Sequence, residues 1–149
     1  MTDAEIRAYL ADPRHAPPCS ILLGFEMLDF SADGGWAEMA FTPKPSFANP
    51  LATVQGGFVA AMLDDAMGLA GSIAVRFEKV VPTLQLNVVF VNPTPVERLI
   101  ARGEVVRLGK NTTLLSGWLK RADGTLLATG TASAAVRPFP RENRLKSGG

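Results

Sequence analysis

Residues 49–75 read NPLATVQGGFVAAMLDDAMGLAGSIAV, and the fold turns on how this stretch is read. Between Lys44 and Arg76 its only formal charges are two adjacent carboxylates, Asp64 and Asp65. Gln55-Gly56-Gly57 opens a helical run in which Phe58, Val59, Met62, Leu63, Met67, Leu69, Ile73 and Val75 supply bulk on every side. A helix apolar on all faces is expected to be buried all round. Ala60, Ala61, Ala66, Ala70, Gly71 and Ala74 keep the same helix slim, which suits close approach of a surrounding backbone. A carboxylate in such a place is costly unless it is hydrogen-bonded, paired or functional. Asp64 and Asp65 are therefore the first candidates for chemistry.

Outward from this helix the chain divides cleanly. On its N-terminal side, residues 3–11 predict a short amphipathic helix with an apolar side of Ile6, Ala8 or Tyr9, and Leu10, stopped at Pro13. PRHAPPCS reads as a link, Leu22–Phe30 as a strand, Asp33-Gly34-Gly35 as a turn, and Trp36–Thr42 as a returning strand. Pro43, Pro45 and Pro50 hold a loop that feeds the helix. Beyond Val80 the sequence predicts four strands, Thr83–Asn92, Arg98–Leu108, Thr112–Arg121 and Thr125–Val136. Strands segregated from helices give an α+β class, with a curved antiparallel sheet around one long helix. The whole chain, 1–149, is one domain, with 1–19 as N-terminal helix and linker and 138–149 as a polar tail. Strands apolar on both faces predict a homo-oligomer.

Composition excludes several functions. Fifteen Lys and Arg stand against fourteen Asp and Glu, so no basic surface for nucleic acid or membrane is expected. Two carboxylates at the centre of the most apolar helix argue against a membrane span. The N-terminus, MTDAEIRAYLADPRH, lacks a basic-then-apolar leader, and the single cysteine, Cys19, excludes an internal disulfide framework. A cytoplasmic protein is expected. One histidine (His15) and one cysteine make a metal site within the chain improbable. His15 itself sits in a proline-flanked link and reads as a solvated loop residue. No Gly-rich phosphate loop is present, and no cofactor is expected.

Asn49, then Gln55-Gly56-Gly57, then Asp64 nine residues beyond the glutamine, then a strand after Pro82, resembles the hotdog-fold acyl-CoA thioesterases of the phenylacetate-pathway (PaaI) type. The resemblance covers roughly residues 20–137. The family's usual pattern has His-Gly-Gly where this chain has Gln55-Gly56-Gly57. An amide cannot titrate, so Gln55 carries no proton. The resemblance implies hydrolysis of an acyl-CoA, with the Gly56 N–H as donor to the thioester carbonyl and sites built across subunits. It also implies a hydroxyl near the carboxylate, at Thr83.

The residues can be weighed for that chemistry directly. A helix start offers unpaired N–H groups with partial positive charge, and Gly56 or Gly57 there lets a carbonyl approach unobstructed. Asp64 follows eight residues on, roughly 12 Å along the helix at ~1.5 Å per residue. Both cannot touch one carbonyl within a chain, whereas a two-fold partner can bring them together. Asp64 then acts as general base on water or as nucleophile through an anhydride. Asn49 could orient the water or the carboxylate, Gln55 could donate to the carbonyl or cap the helix, and Thr83 could hold the water. Taken singly, Asn49 is a turn residue before Pro50 and Thr83 an ordinary strand threonine. Asp65 points about 100° away from Asp64 and is expected to be solvent-exposed or salt-bridged, or catalytic should the assignment slip by one residue.

For the substrate, Arg107-Leu108-Gly109-Lys110 places two cations in a tight turn suited to phosphates, with Arg76 and Lys79 after the helix end as further cations. Phe58, Met62, Phe25, Phe47 and Trp36 suit a medium-chain or aromatic acyl group. The alternative is a non-catalytic acyl-CoA-binding or regulatory hotdog protein. An enoyl-CoA hydratase needs an Asp and His pair that this sequence does not supply near the helix start.

Overall fold

A row of three glycines decides how the long helix meets the sheet. In the computed structural model, which describes residues 1–140, Gly103, Gly117 and Gly130 stand directly opposite one another on three neighbouring strands. A Cβ at Gly103 would collide with the Ala66 carbonyl of the helix, and one at Gly117 or Gly130 would lie 3.0 Å from Met67. The strands therefore leave a trough, and the helix lies in it at close to backbone contact.

The elements in chain order are α1 (Asp3–Ala11), α2 (Pro18–Leu22), β1 (Phe25–Ser31), β2 (Trp36–Phe41), α3 (Gly56–Ala74), β3 (Thr83–Phe90), β4 (Leu99–Leu108), β5 (Thr112–Arg121) and β6 (Leu126–Ala135). Six antiparallel strands form one sheet in the order β1-β2-β4-β5-β6-β3. The α+β class and the central helix packed on an antiparallel sheet are as expected. So are the two strands before α3 and the four after it, with boundaries displaced by a residue or three. Residues 141–149, most of the expected polar tail, lie outside the described residues.

α3 differs from expectation in one respect. Val59, Met62, Leu63, Ala66, Met67, Ala70 and Ile73 are buried against the sheet, but Ala60, Ala61, Asp64, Asp65, Gly68, Leu69 and Ser72 are only half-buried. Within the chain, only one side of a helix that is apolar nearly all round is fully covered. By length and composition α3 could span a membrane; here it is the core helix of the domain.

Its C-terminus is unusual too. Arg76 and Phe77 both take left-handed backbone (φ +54° and +56°), where glycine is the ordinary choice. The Phe77 N–H donates to the Ser72 carbonyl at 2.9 Å and so closes the last turn. The Arg76 guanidinium offsets the strain by pairing with Asp3 (2.9 Å) and Asp33 (2.7 Å), and Phe77 packs 5.1 Å from Tyr9 of α1. Arg76 is thus a structural tie between the helix end, α1 and the β1–β2 turn, which removes it from the expected phosphate cations.

α2 is the element that sequence reading leaves as linker. Pro18 stands at its first position, where a missing N–H costs nothing. Ser20 of α2 and Tyr9 and Leu10 of α1 line a cavity against the half-buried side of α3.

Candidate active site

Asp64 and Asp65 sit side by side on α3 yet have different partners. Thr83, the first residue of β3, donates its hydroxyl to Asp64 Oδ1 at 2.8 Å. Ser20, buried at 4% exposure in α2, donates to Asp65 Oδ1 at 3.0 Å. Asp65 Oδ2 is buried and has no partner among the described residues. Burial pushes the Asp65 carboxyl above the ordinary carboxylate value; the Ser20 hydrogen bond opposes this, and the neighbouring charge of Asp64 adds to it. Asp65 is therefore neither exposed nor salt-bridged, contrary to the sequence expectation. The reason is α2, which covers the side of the helix that Asp65 faces.

Both carboxylates line a cavity of about 330 Å³ between α3 and the N-terminal segment. Its other walls include Leu10, Phe25, Leu69, Phe77 and Val81. His15 is exposed, as expected, but it stands at this rim with its ring stacked on Tyr9 at 4.1 Å. Nδ1 of His15 lies 3.0 Å from the Tyr9 carbonyl.

The helix start forms a second cavity of about 300 Å³, lined by Asn49, Gly56, Val59 and Phe90 among others and sharing no residue with the first. Gln55 approaches α3 in extended conformation and donates its N–H to the Phe47 carbonyl at 2.9 Å. Its side chain is exposed and makes no capping bond. Among the described residues the N–H groups of Gly56 and Gly57 find no acceptor, so two donors remain open at the positive end of the helix. A Cβ at Gly56 would press on the Phe90 ring at 3.1 Å, whereas one at Gly57 would meet nothing within 4 Å. Asn49 Oδ1 accepts from Leu51 N–H (2.9 Å), Thr53 N–H (3.2 Å) and Thr53 Oγ1 (3.1 Å), so it organises the loop before the helix.

The remaining predicted residues lie elsewhere. Phe58 stacks face to face on Phe47 at 3.9 Å and borders neither cavity. Arg107 and Lys110 flank the β4–β5 turn, exposed and without an ion pair among the described residues. Gly109 is required there because a Cβ would sit 2.7 Å from the Thr112 carbonyl. Among the described residues, no three His, Cys, Asp or Glu side chains gather where they could hold a metal ion.

The sequence pattern of the thioesterase superfamily matches residues 51–128, more than half of the chain and the whole of α3. The chain belongs to that superfamily.

Solved structures agree with the assignment. A candidate thioesterase related to phenylacetic acid degradation, from Ralstonia eutropha JMP134, is 32% identical over 82% of this chain and 93% of its own, with a TM-score of 0.77. The PaaI protein of the Escherichia coli phenylacetic acid degradation operon is 19% identical over 78% and 86%, with a TM-score of 0.70. The smu.793 protein of Streptococcus mutans, solved with acetyl CoA bound, is 18% identical over 76% and 89%, with a TM-score of 0.68. The last two show the shared fold. A comparison with curated proteins gave no significant match. The protein is a hotdog-fold, PaaI-like thioesterase, a hydrolase of thioesters.

In this thioesterase, sequence reasoning missed Ser20, Tyr9 and Phe77 as walls of the carboxylate cavity. The one local signal for Ser20 was the Pro17-Pro18 pair, which places proline at a helix start. Tyr9 and Phe77 carry no local signal, because only the left-handed turn after α3 brings them together.

Proposed function

We propose that the protein hydrolyses the thioester of a medium-chain or aromatic acyl-CoA to the free acid and CoA, as a cytoplasmic homo-oligomer with sites across subunits. A dimer is the minimum, and a tetramer of two dimers is the preferred form. The observation that carries this reading is the Thr83–Asp64 hydrogen bond at the edge of an apolar cavity. With Oδ1 held by Thr83, the other oxygen of Asp64 is oriented to take a proton from water or to attack the carbonyl carbon. Both routes stay open.

The carbonyl oxygen needs donors, and the Gly56 N–H supplies one, supported by Gly57 at the same helix start. Within one chain these lie too far from Asp64, and the two cavities share no lining residue. A two-fold partner brings one helix start to the other subunit's Asp64. The sheet offers a place for such a partner: β3 is an edge strand without a single charge, and Leu84 and Val89 on it are 59% and 58% exposed. Unprotected edges of this kind pair with another chain.

Gln55 then donates its side-chain amide to the carbonyl without carrying a proton. Asn49, its oxygen occupied by the loop, offers its NH₂ group to the water or the carboxylate. Arg107 and Lys110, at the turn closed by Gly109, face the CoA phosphates; the acetyl CoA held by the Streptococcus mutans protein supports CoA as carrier. Phe58, stacked on Phe47, stiffens the helix start under the substrate.

The test is a thiol-release assay of the purified protein with acetyl-, hexanoyl-, octanoyl-, phenylacetyl- and palmitoyl-CoA. Turnover concentrated on the middle of this set is expected. Tight binding with no thiol released from any of them would replace this reading with the non-catalytic acyl-CoA-binding one.

A further inference from the structure

The carboxylate cavity follows the helix rather than crossing it. Asp64, Gly68 and Ser72, spaced four residues apart on α3, all line it, and Phe77 lines it beyond the helix end. From Asp64 to Ser72 is roughly 12 Å at ~1.5 Å per residue. At Gly68 an added Cβ would meet nothing within 4 Å, so open space stands directly over the middle of the stripe. The roof is the N-terminal segment, with Tyr9, Leu10, Ala16 and Ser20 among its lining residues. No Lys or Arg lines the cavity, so nothing in it answers the phosphates of CoA. Its volume of about 330 Å³ lies at the small end of ligand cavities, roughly 300–1,000 Å³.

From this we infer that the acyl group lies along the Asp64–Gly68–Ser72 stripe beneath the N-terminal segment, with Tyr9 and Phe77 closing the far end and setting the acyl length. Ser20 is the positioning residue: its hydrogen bond to Asp65 fixes the roof to the helix floor one residue from Asp64. Asp65 holds the other end of that bond from the helix side, which gives the second carboxylate a structural part beside Asp64. The inference rests on the acyl-CoA reading above and adds which residues select the acyl group. Phe25 and Val81 complete apolar walls on either side, and Tyr9 is itself held by the 5.1 Å contact with Phe77 and the stacked His15.

The experiment compares wild type with Gly68→Leu and Tyr9→Ala, measuring kcat/KM for acetyl-, octanoyl-, phenylacetyl- and lauroyl-CoA. Gly68→Leu places a side chain where the acyl group would lie, and the ratio of phenylacetyl- to acetyl-CoA turnover is expected to fall about ten-fold or more. Tyr9→Ala opens the far end, and the lauroyl-to-octanoyl ratio is expected to rise. An unchanged acyl profile in a folded Gly68→Leu protein overturns the inference. Should that variant not fold, an unchanged profile in Tyr9→Ala does so. If wild type releases no thiol at all, the same esters are intact ligands, and the rise in Tm over that given by free CoA reads the cavity instead. A rise that is lost in the variants means the hydrolytic reading fails while the acyl site stands. No rise, or one the variants leave unaltered, overturns the acyl site as well.

Discussion

The Thr83 hydroxyl donates to Asp64 Oδ1 at 2.8 Å, joining the first residue of the edge strand to the middle of the central helix. Asp64→Asn keeps the shape but cannot take a proton or attack a carbonyl, so hydrolysis is expected to be abolished with fold and oligomer intact. Thr83→Val should lower kcat and leave Tm nearly unchanged, since Thr83 is exposed. Near-normal turnover in Asp64→Asn would overturn the assignment.

Asp65 should behave in the opposite way. Its folded-state proton affinity is raised, so between the ordinary value of 3.8 and the higher folded value the native state binds more protons than the unfolded chain. Stability from this group is complete below 3.8 and is lost as pH rises through the folded value. Asp65→Asn removes the charged form, retains an acceptor for Ser20, and is expected to raise Tm at pH 7, the gain shrinking as pH falls. A lower Tm than wild type at pH 7 would show that the ionised form is stabilised instead.

At the helix start, Gln55→His should keep or raise activity and Gln55→Ala should lower kcat about ten-fold. This is the small end of what oxyanion donors contribute, because the Gly56 N–H remains. A Gln55→Ala enzyme as inactive as Asp64→Asn would show that Gln55 does more than donate one hydrogen bond.

The oligomer can be checked by sedimentation, where a mass of at least twice 15.8 kDa is expected at micromolar concentration. Val89→Lys places a charge on the exposed, uncharged edge of β3 and should give a folded protein of monomer mass with little turnover. A fully active monomer would refute sites built across subunits.

Two glycines of similar appearance in the sequence should respond with opposite signs. Gly103→Ala drives a methyl into the Ala66 carbonyl and should cost about 1–3 kcal/mol, read as a fall in Tm of about 2–4 °C per kcal/mol. Gly68→Ala meets open space and should stabilise the helix by about 1 kcal/mol. Equal effects at the two positions would contradict the close seating of α3 in the glycine trough.

What the sequence by itself determined is what periodicity and local chemistry carry. The apolar run with its Gly-Gly opening set the helix, Asp33-Gly34-Gly35 set the first hairpin, and the spacing from Gln55 to Asp64 pointed to the family. Those signals are short-range, since each depends on neighbours within one element. The tertiary structure alone decided the rest. Gly103, Gly117 and Gly130 lie on three different strands, and only sheet register makes them one trough. Asp64 and Asp65 are alike in sequence, and their difference comes from Thr83, nineteen residues later, and Ser20, forty-five residues earlier. A carboxylate's role depends on what desolvates it and what donates to it, and both partners reach this helix through contacts that no local pattern encodes.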